Sequence, residues 1–288
     1  MRQALAPYPD PAGREAELDA LAARLGGELI VYGESLQGRP LRGLRLPGPD
    51  PDAPRVLCSA NIHGVEFIAG RVALGVLGAL VAGAPEPLRL RARAELWVIP
   101  CLNPDGYART CAADGRGRLA ELRANAGDAT YRGPHPLSEP ETAALERLFA
   151  ARRFHASVNL HAFMGTAIPA RVTDPGAYAS YRDLCRALAR AQPRARYLRL
   201  AHRIFDTFTG EQEDHQHHAF GTWAVCLETF PVHASYRQHL RAPSVFWRFN
   251  PHDPQPWIDN DVPAVVAFLH AALDLPPPPA TSRRALPP

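Results

Sequence analysis

Two short apolar runs that each end in a histidine are the sequence feature that most constrains the fold. Residues 55–62 lead into His63-Gly64-Val65-Glu66, and residues 156–160 end at His161. A short apolar run bounded in this way predicts a buried strand. The segment Phe67–Val81 is too long for a strand and is rich in Ala, Leu and Val, which predicts a largely buried helix. The polar side chains would then lie at the carboxyl ends of strands, where ligands gather in open α/β sheets.

The residue types at these strand ends indicate a metal site. Two imidazoles and one carboxylate form a ligand set that leaves a zinc ion with one open position for water. A metal held in this way typically hydrolyses an amide or ester bond, although the same ligand types also suit iron. The chain contains 12 histidines, so a His-x-x-Glu pattern could arise by chance. The position of these residues at two predicted strand ends is what indicates a metal site. His63, Glu66 and His161 are therefore candidate ligands.

The remaining sequence alternates predicted strands and helices, which favours an α/β fold. We predict one domain over residues 1–275, with a mixed, mostly parallel twisted sheet and helices on both faces. Residues 276–288 are Pro-rich and are predicted to be a disordered tail. Ser138 and Glu141 form a predicted capping box, and Asp261 is the predicted cap of a last helix. Further strands are predicted at residues 28–32, 41–46, 94–100 and 222–227, and further helices at 14–25, 178–191 and 262–273.

Composition argues against several classes of partner. The net charge is 32 − 29 = +3 with histidine neutral, and the basic residues are dispersed, so nucleic acid binding is not expected. Five cysteines without paired spacing do not form a disulfide framework. The longest charge-free apolar stretch, residues 72–84, is too short to span a bilayer. We expect a cytoplasmic protein that does not bind membranes, and its oligomeric state is left open.

Five short motifs resemble those of zinc carboxypeptidases of the carboxypeptidase A type, and they occur in the same order. The resemblance covers roughly residues 28–232, and the run Gly-Pro-x-Pro-Leu-Ser-Glu-Pro-Glu-Thr is most similar to the bacterial branch that contains murein peptide amidases. It implies one zinc ion per chain, held by His63, Glu66 and His161. The motifs lie at residues 63–66, 103–107, 133–142, 159–161 and 227–231.

The resemblance also implies roles for three further residues. Glu228 would be the general base and acid, and it ends an apolar strand, where burying a carboxylate is costly unless the group has a partner or a task. Arg123 would polarise the scissile carbonyl and stabilise the oxyanion. Asp128 would orient a ligand histidine through its other ring nitrogen. Three other arginines of the same region are alternatives to Arg123, namely Arg109, Arg116 and Arg118.

The chain departs from the family pattern in its expected substrate-binding residues. Family members carry an Asn-Arg pair that grips the terminal carboxylate of the substrate, and here Thr130 and Tyr131 stand in those positions. Tyr131, Arg132 and Arg171 are therefore the candidates for substrate binding. A family tyrosine about twenty residues before Glu228 is also absent. We interpret the His-rich residues 211–218 as a polar loop, with a lining of the substrate pocket as the alternative.

Three functions remain open from the sequence. The first is a zinc-dependent carboxypeptidase-like hydrolase that acts on small peptides. The second is an N-acyl amino-acid hydrolase similar to aspartoacylases and succinylglutamate desuccinylases, which share the His-Gly-x-Glu start. The third is a non-catalytic zinc-binding relative, which the missing Asn-Arg pair and tyrosine suggest. The runs at residues 103–106 and 138–142 favour the peptidase.

Overall fold

The computed structural model describes most of the chain in five blocks. These are residues 5–114, 134–199, 211–231, the isolated positions 236 and 238, and 240–280. Four of the predicted site residues, Arg123, Asp128, Tyr131 and Arg132, lie outside the described residues.

A twisted sheet forms the centre of the molecule. Its described strands are β1 Glu28–Glu34, β2 Pro40–Leu46, β3 Arg55–Ala60, β4 Glu95–Ile99, β5 Ala156–Ala162, β6 Thr166–Pro169, β7 Leu198–Arg199 and β8 Trp223–Thr229. Within the described residues their order in the sheet is β1-β2-β4-β3-β5-β8-β6-β7. Four of the seven neighbouring pairs are parallel: β3 with β4, β3 with β5, β5 with β8, and β6 with β7. The other three pairs are antiparallel, which confirms the predicted mixed, mostly parallel sheet.

Helices cover the sheet on both sides. The described helices are α1 Pro11–Leu25, α2 Phe67–Val81, α3 Pro85–Arg91, α4 Pro104–Ala112, α5 Pro140–Arg152, α6 Pro175–Ala191, α7 Gln212–Phe220, α8 Phe246–Phe249 and α9 Gln255–Leu273. On one face, the apolar side chains of β3 and β5 join α2 and α9 in the main core. On the other face, Leu57, Trp97 and Ile99 pack with apolar residues of α5.

Helix α2 is the central helix of the main core and has the bounds that the sequence predicts. It lies against β3 and β5, and side chains around most of its circumference are buried. An apolar helix of this kind needs protein on all sides. Among the described residues no single helix is long and apolar enough to cross a bilayer. Within the described part of the chain, one pair of helices, α2 and α3, bent by 92°, meets that test together, on length and composition alone.

Two predicted helix caps, Asp261 and Ser138, are wrong. Helix α9 begins at Gln255 rather than at residue 262, because Trp257 and Ile258 of its first turns are buried in the core. Asp261 therefore lies inside the helix, fully buried, and does not cap it. At α5 the residue before the helix is Glu139, and no side chain caps the helix. The hydroxyl of Ser138 instead donates a hydrogen bond to the carboxylate of Glu139.

Residues 212–220 form helix α7, so the interpretation of this segment as a polar loop is wrong. Several of its polar side chains are buried against the sheet, including Glu213, Gln216 and His217. The side chains that this helix buries are polar. The sequence therefore lacks the apolar stripe by which an amphipathic helix is predicted. Of the predicted tail, residues 276–288, the structure describes residues 276–280. There the indole nitrogen of Trp223 donates to the carbonyl of Pro276 at 3.0 Å.

The buried carboxyl group of Asp261 yields a prediction about stability. Burial raises its pKa from 3.8 to about 7, although hydrogen bonds from Asn260, Gln192 and Tyr197 oppose the shift. The folded state therefore holds this proton more tightly than the unfolded chain, and the free energy of unfolding should fall as pH rises from about 4 to about 7. Asp261→Asn should flatten that slope.

Denaturant unfolding between pH 4.5 and pH 7.5 measures this effect. Each unit of pKa shift corresponds to about 1.4 kcal/mol, so a difference of a few kcal/mol across the range is expected. Asp259→Asn, on the exposed side of the same helix, is the matched control and should keep the wild-type slope. An unchanged slope in Asp261→Asn would contradict the assignment.

Candidate metal centre

Three side chains converge at the carboxyl edge of the sheet. His63 lies just after β3, Glu66 directly precedes α2, and His161 is in β5. One possible ligand atom from each residue lies within 4.8 Å of the other two. The Nδ1 atoms of His63 and His161 are 3.2 Å apart. The two carboxylate oxygens of Glu66 lie 2.9 Å from Nδ1 of His63 and 3.2 Å from Nδ1 of His161. The structure thus brings together the three candidate ligands.

Strand register explains why residues almost a hundred positions apart meet. Strands β3 and β5 are parallel neighbours, with Ala60 opposite Leu160. Parallel strands carry successive residues to the same edge of a sheet. The chain turns sharply after β3 through Asn61, whose φ is 58°, and the amide of Glu66 donates to the carbonyl of His63 at 3.1 Å.

The motif Asn103-Pro104-Asp105-Gly106 supports the turn that carries His63. The side-chain amide of Asn103 donates to the carbonyl of Ile62 at 3.1 Å. Its oxygen accepts from the amide of Gly106 at 2.7 Å, which caps α4. A Cβ atom on Gly64 would lie 2.2 Å from the backbone carbon of Gly106. Only glycine fits at position 64, because the first turn of α4 packs against it.

Asp105 of the same motif fastens the turn between β1 and β2. Its carboxylate accepts from the hydroxyl of Ser35 at 2.8 Å and from the backbone amide of Gln37 at 2.9 Å. It also pairs with the guanidinium of Arg39. Asp105 is buried and fully engaged in these contacts, so this part of the motif has a structural task.

The electrostatics of the three side chains suit a divalent cation. Burial by itself would raise the pKa of Glu66, but the imidazoles of His63 and His161 outweigh it and hold the pKa below the usual range. The carboxylate is therefore ionised. Imidazole nitrogens and carboxylate oxygens are ordinary zinc ligands, and one zinc ion would satisfy all three converging lone pairs. The donor set fits zinc.

Asn159 contacts the outer nitrogen of His161 and was not among the predicted site residues. Its side-chain nitrogen lies 2.9 Å from Nε2 of His161. Its side-chain oxygen accepts a hydrogen bond from the hydroxyl of Ser59 at 3.4 Å. If Nδ1 of His161 ligates a metal, Nε2 would carry the ring proton, and the Asn159 amide would turn its oxygen towards that proton. Strand periodicity could have identified Asn159, because it lies two residues before His161 on the same face.

Glu228 lies beside His161. The two residues are direct partners in the parallel pair of β5 and β8, so their side chains project from the same face of the sheet, from strands about 4.8 Å apart. Glu228 is half-buried. The hydroxyl of the next residue, Thr229, donates to the carbonyl of His161 at 2.9 Å. The structure therefore places Glu228 beside His161, one of the three candidate ligands.

Arg171 lies away from this cluster. It follows β6, which runs antiparallel to β8, and the amide of Ala170 bonds to the carbonyl of Ala224. That position is four residues before Glu228, or roughly 13 Å along the strand. The backbone amide of Arg171 donates to Asp214, and its guanidinium lies 3.5 Å from the same carboxylate. The structure does not bring Arg171 together with the predicted metal ligands.

The family model for zinc carboxypeptidases matches two overlapping segments of the chain, residues 15–127 and 118–234. The chain belongs to the zinc carboxypeptidase family. Zinc is the metal that membership of this family implies.

Individual zinc carboxypeptidases give the same picture in sequence and fold. Human carboxypeptidase D is 30% identical over 188 residues, which cover 50% of this chain and 14% of that protein. The chain therefore spans only a small part of this relative. Carboxypeptidase A from Helicoverpa armigera superposes with a TM-score of 0.73 at 16% identity, over 93% of this chain and 74% of that one. A metallo-carboxypeptidase from Burkholderia cenocepacia gives 0.65 at 18% identity, over 90% and 68%. At these identities the superpositions show the fold.

The packing of Gly64 predicts a loss of metal binding on a minimal substitution. Gly64→Ala should push the His63 turn away from α4 and weaken zinc binding at least about tenfold, since metal sites depend on ligand positions within about 0.5 Å. Competition with a chromogenic chelator measures the dissociation constant. Gly78→Ala is the control, because a Cβ atom there meets nothing within 4 Å. Equal zinc affinity in both variants would contradict the prediction.

The contact between Asn159 and His161 predicts a second effect on the metal. Asn159→Leu keeps the side-chain volume but removes the partner of the ring nitrogen, and should weaken zinc binding about 10- to 100-fold. Ser157→Ala, two residues earlier on the same face of β5, should leave it unchanged. Wild-type affinity in Asn159→Leu would show that the contact does not orient His161.

Proposed function

We propose that this protein is a zinc-dependent, metallocarboxypeptidase-like hydrolase that cleaves an amide bond in small peptides. The observation that carries the proposal is the convergence of His63, Glu66 and His161, with Glu228 in register beside His161. Membership of the zinc carboxypeptidase family supports the same reaction class.

The proposed mechanism assigns a task to each of these side chains. His63, Glu66 and His161 would hold one zinc ion, which would supply Lewis acidity towards water and the substrate carbonyl. Glu228 takes a proton from the attacking water and then gives it to the leaving amine. Its half-buried position beside the ligand strand supports this role, because a general base must lie within hydrogen-bond reach of the proton that it removes.

The proposal assigns the remaining roles to residues of the segment before α5. Arg123 would stabilise the oxyanion, Asp128 would orient a ligand histidine, and Tyr131 and Arg132 would bind the substrate. Arg171, whose guanidinium lies 3.5 Å from the carboxylate of Asp214, is a further proposed substrate-binding residue. Binding of a free terminal carboxylate by an arginine would make the enzyme an exopeptidase.

Metal content measured together with a substrate panel tests the proposal. The panel contains peptides with a free terminal carboxylate, their amidated counterparts, a γ-glutamyl-diaminopimelate peptide and N-acyl amino acids. We expect about one zinc ion per chain and cleavage of the free-carboxylate peptides alone. Hydrolysis of N-acyl amino acids without peptide cleavage would replace the proposal with a deacylase. Bound zinc without any turnover would identify a non-catalytic relative.

Glu228→Gln tests the mechanism within the same experiment. Loss of the general base should lower kcat by about 10²- to 10⁴-fold, with zinc content unchanged because the three ligands remain. Glu146→Gln is the control, since Glu146 is paired with His215 at 2.6 Å in a separate contact between α5 and α7. Full activity of Glu228→Gln would show that another group moves the proton.

A further inference from the structure

The chain just beyond Glu228 is held in an uncommon backbone conformation. Phe230 has a φ of 59°, which is rare for residues other than glycine and persists only where the surroundings enforce it. Its backbone amide donates to the hydroxyl oxygen of Tyr197 at 3.2 Å. Phe230 and Tyr197 are both buried. Within this part of the structure, the tyrosine hydroxyl therefore sets the direction of the chain two residues after Glu228.

A buried carboxylate aims the hydroxyl of Tyr197. The hydroxyl donates its proton to Oδ2 of Asp261 at 3.0 Å, which leaves an oxygen lone pair for the amide of Phe230. The other oxygen of Asp261 accepts from Gln192 at 2.9 Å and from Asn260 at 2.8 Å. The backbone amide of Tyr197 donates to the side chain of Gln192 at 2.7 Å. The ring of Tyr197 is thus fixed at both of its ends.

The opposite side of the same segment is tied to the metal-binding strand. The amide of Gly165 donates to the carbonyl of Glu228 at 2.9 Å, and the hydroxyl of Thr229 reaches the carbonyl of His161. These bonds fix one side of the segment, and Tyr197 fixes the other. Since the carboxylate of Glu228 is carried by this backbone, its direction depends on both sets of contacts.

We propose that Tyr197, aimed by Asp261, is a positioning residue for Glu228. The proposal rests on the proposed function, because it assumes that Glu228 transfers a proton. Tyr197 does not touch the reacting atoms in this role. It holds the backbone that points the carboxylate towards the water near the metal. A misplacement of about 1 Å at a catalytic group can lower the rate about a hundredfold.

Strand β8 itself offers a matched control. Tyr181 is another buried tyrosine, and its hydroxyl accepts from the backbone amide of Ala224 at 3.1 Å. Nδ1 of His217 lies 2.9 Å from the same hydroxyl. The contact of Tyr181 is therefore of the same kind as that of Tyr197, but it lies at the amino end of the strand, away from Glu228.

Tyr197→Phe and Tyr181→Phe compared side by side test the proposal. Both variants lose one buried hydroxyl, so both should be destabilised to a similar degree in denaturant unfolding. Only Tyr197→Phe should lower kcat, by about 10- to 100-fold, with KM within threefold and zinc content unchanged. Tyr181→Phe should keep kcat within twofold of the wild type. Equal effects on kcat in the two variants would overturn the positioning role.

A double variant separates this inference from the proposed function. If Tyr197 acts through Glu228, adding Tyr197→Phe to Glu228→Gln should cause no further loss of kcat. A further tenfold loss would show that Tyr197 acts elsewhere. Full activity of Glu228→Gln alone would refute the proposed mechanism, whereas loss there with normal kcat in Tyr197→Phe would refute only the positioning role.

Asp261→Asn provides the same test if Tyr197→Phe does not fold. It keeps the tyrosine ring. Because Oδ1 of Asp261 accepts from both Gln192 and Asn260, the amide oxygen should stay there and the NH2 group should replace Oδ2, the acceptor of the Tyr197 hydroxyl. We expect a smaller fall in kcat, of about three- to tenfold, with zinc retained. A wild-type kcat in Asp261→Asn would overturn the part assigned to Asp261.

Discussion

The contact of one buried carboxylate with two imidazoles is the interaction on which the rest of the site depends. Glu66 is almost completely buried, and an ionised group there is tolerated because His63, His161 and the backbone amide of Ala162 face it. Three separate elements must therefore be held within a few ångströms of one another. The parallel register of β3 and β5 and the packing of α4 against Gly64 both contribute to that accuracy.

Two sets of polar contacts support the site. In the first set, Asn103 holds the His63 turn and Asn159 contacts the outer nitrogen of His161, so these contacts position metal ligands. In the second set, Tyr197 and Asp261 hold the segment after Glu228, so these contacts position the proposed general base. Metal affinity and turnover should therefore respond to different substitutions, as expected when binding and chemistry use separately supported groups.

Much of the fold was predictable because its elements have clear local signals. Helix α2 has the predicted bounds, and the strands that carry the site lie where apolar runs indicated them. The errors fall where distant contacts override local pattern. Asp261 resembles a helix cap but lies inside α9, where it serves Tyr197 and Gln192. Helix α7 has no apolar stripe because its buried face carries polar side chains such as Glu213, so hydrophobic periodicity could not reveal it.

The sequence by itself determined the type of fold, the strand ends at which polar residues gather, and the residue types available for a metal. The fold type and the strand ends follow from the spacing of apolar residues within short segments, and the residue types are read directly from the sequence. Only the tertiary structure decided that Glu228 lies beside His161, that Arg171 pairs with Asp214, and that Tyr197 meets both Phe230 and Asp261. Such contacts join residues tens of positions apart. They depend on strand order and helix packing, which no local pattern specifies.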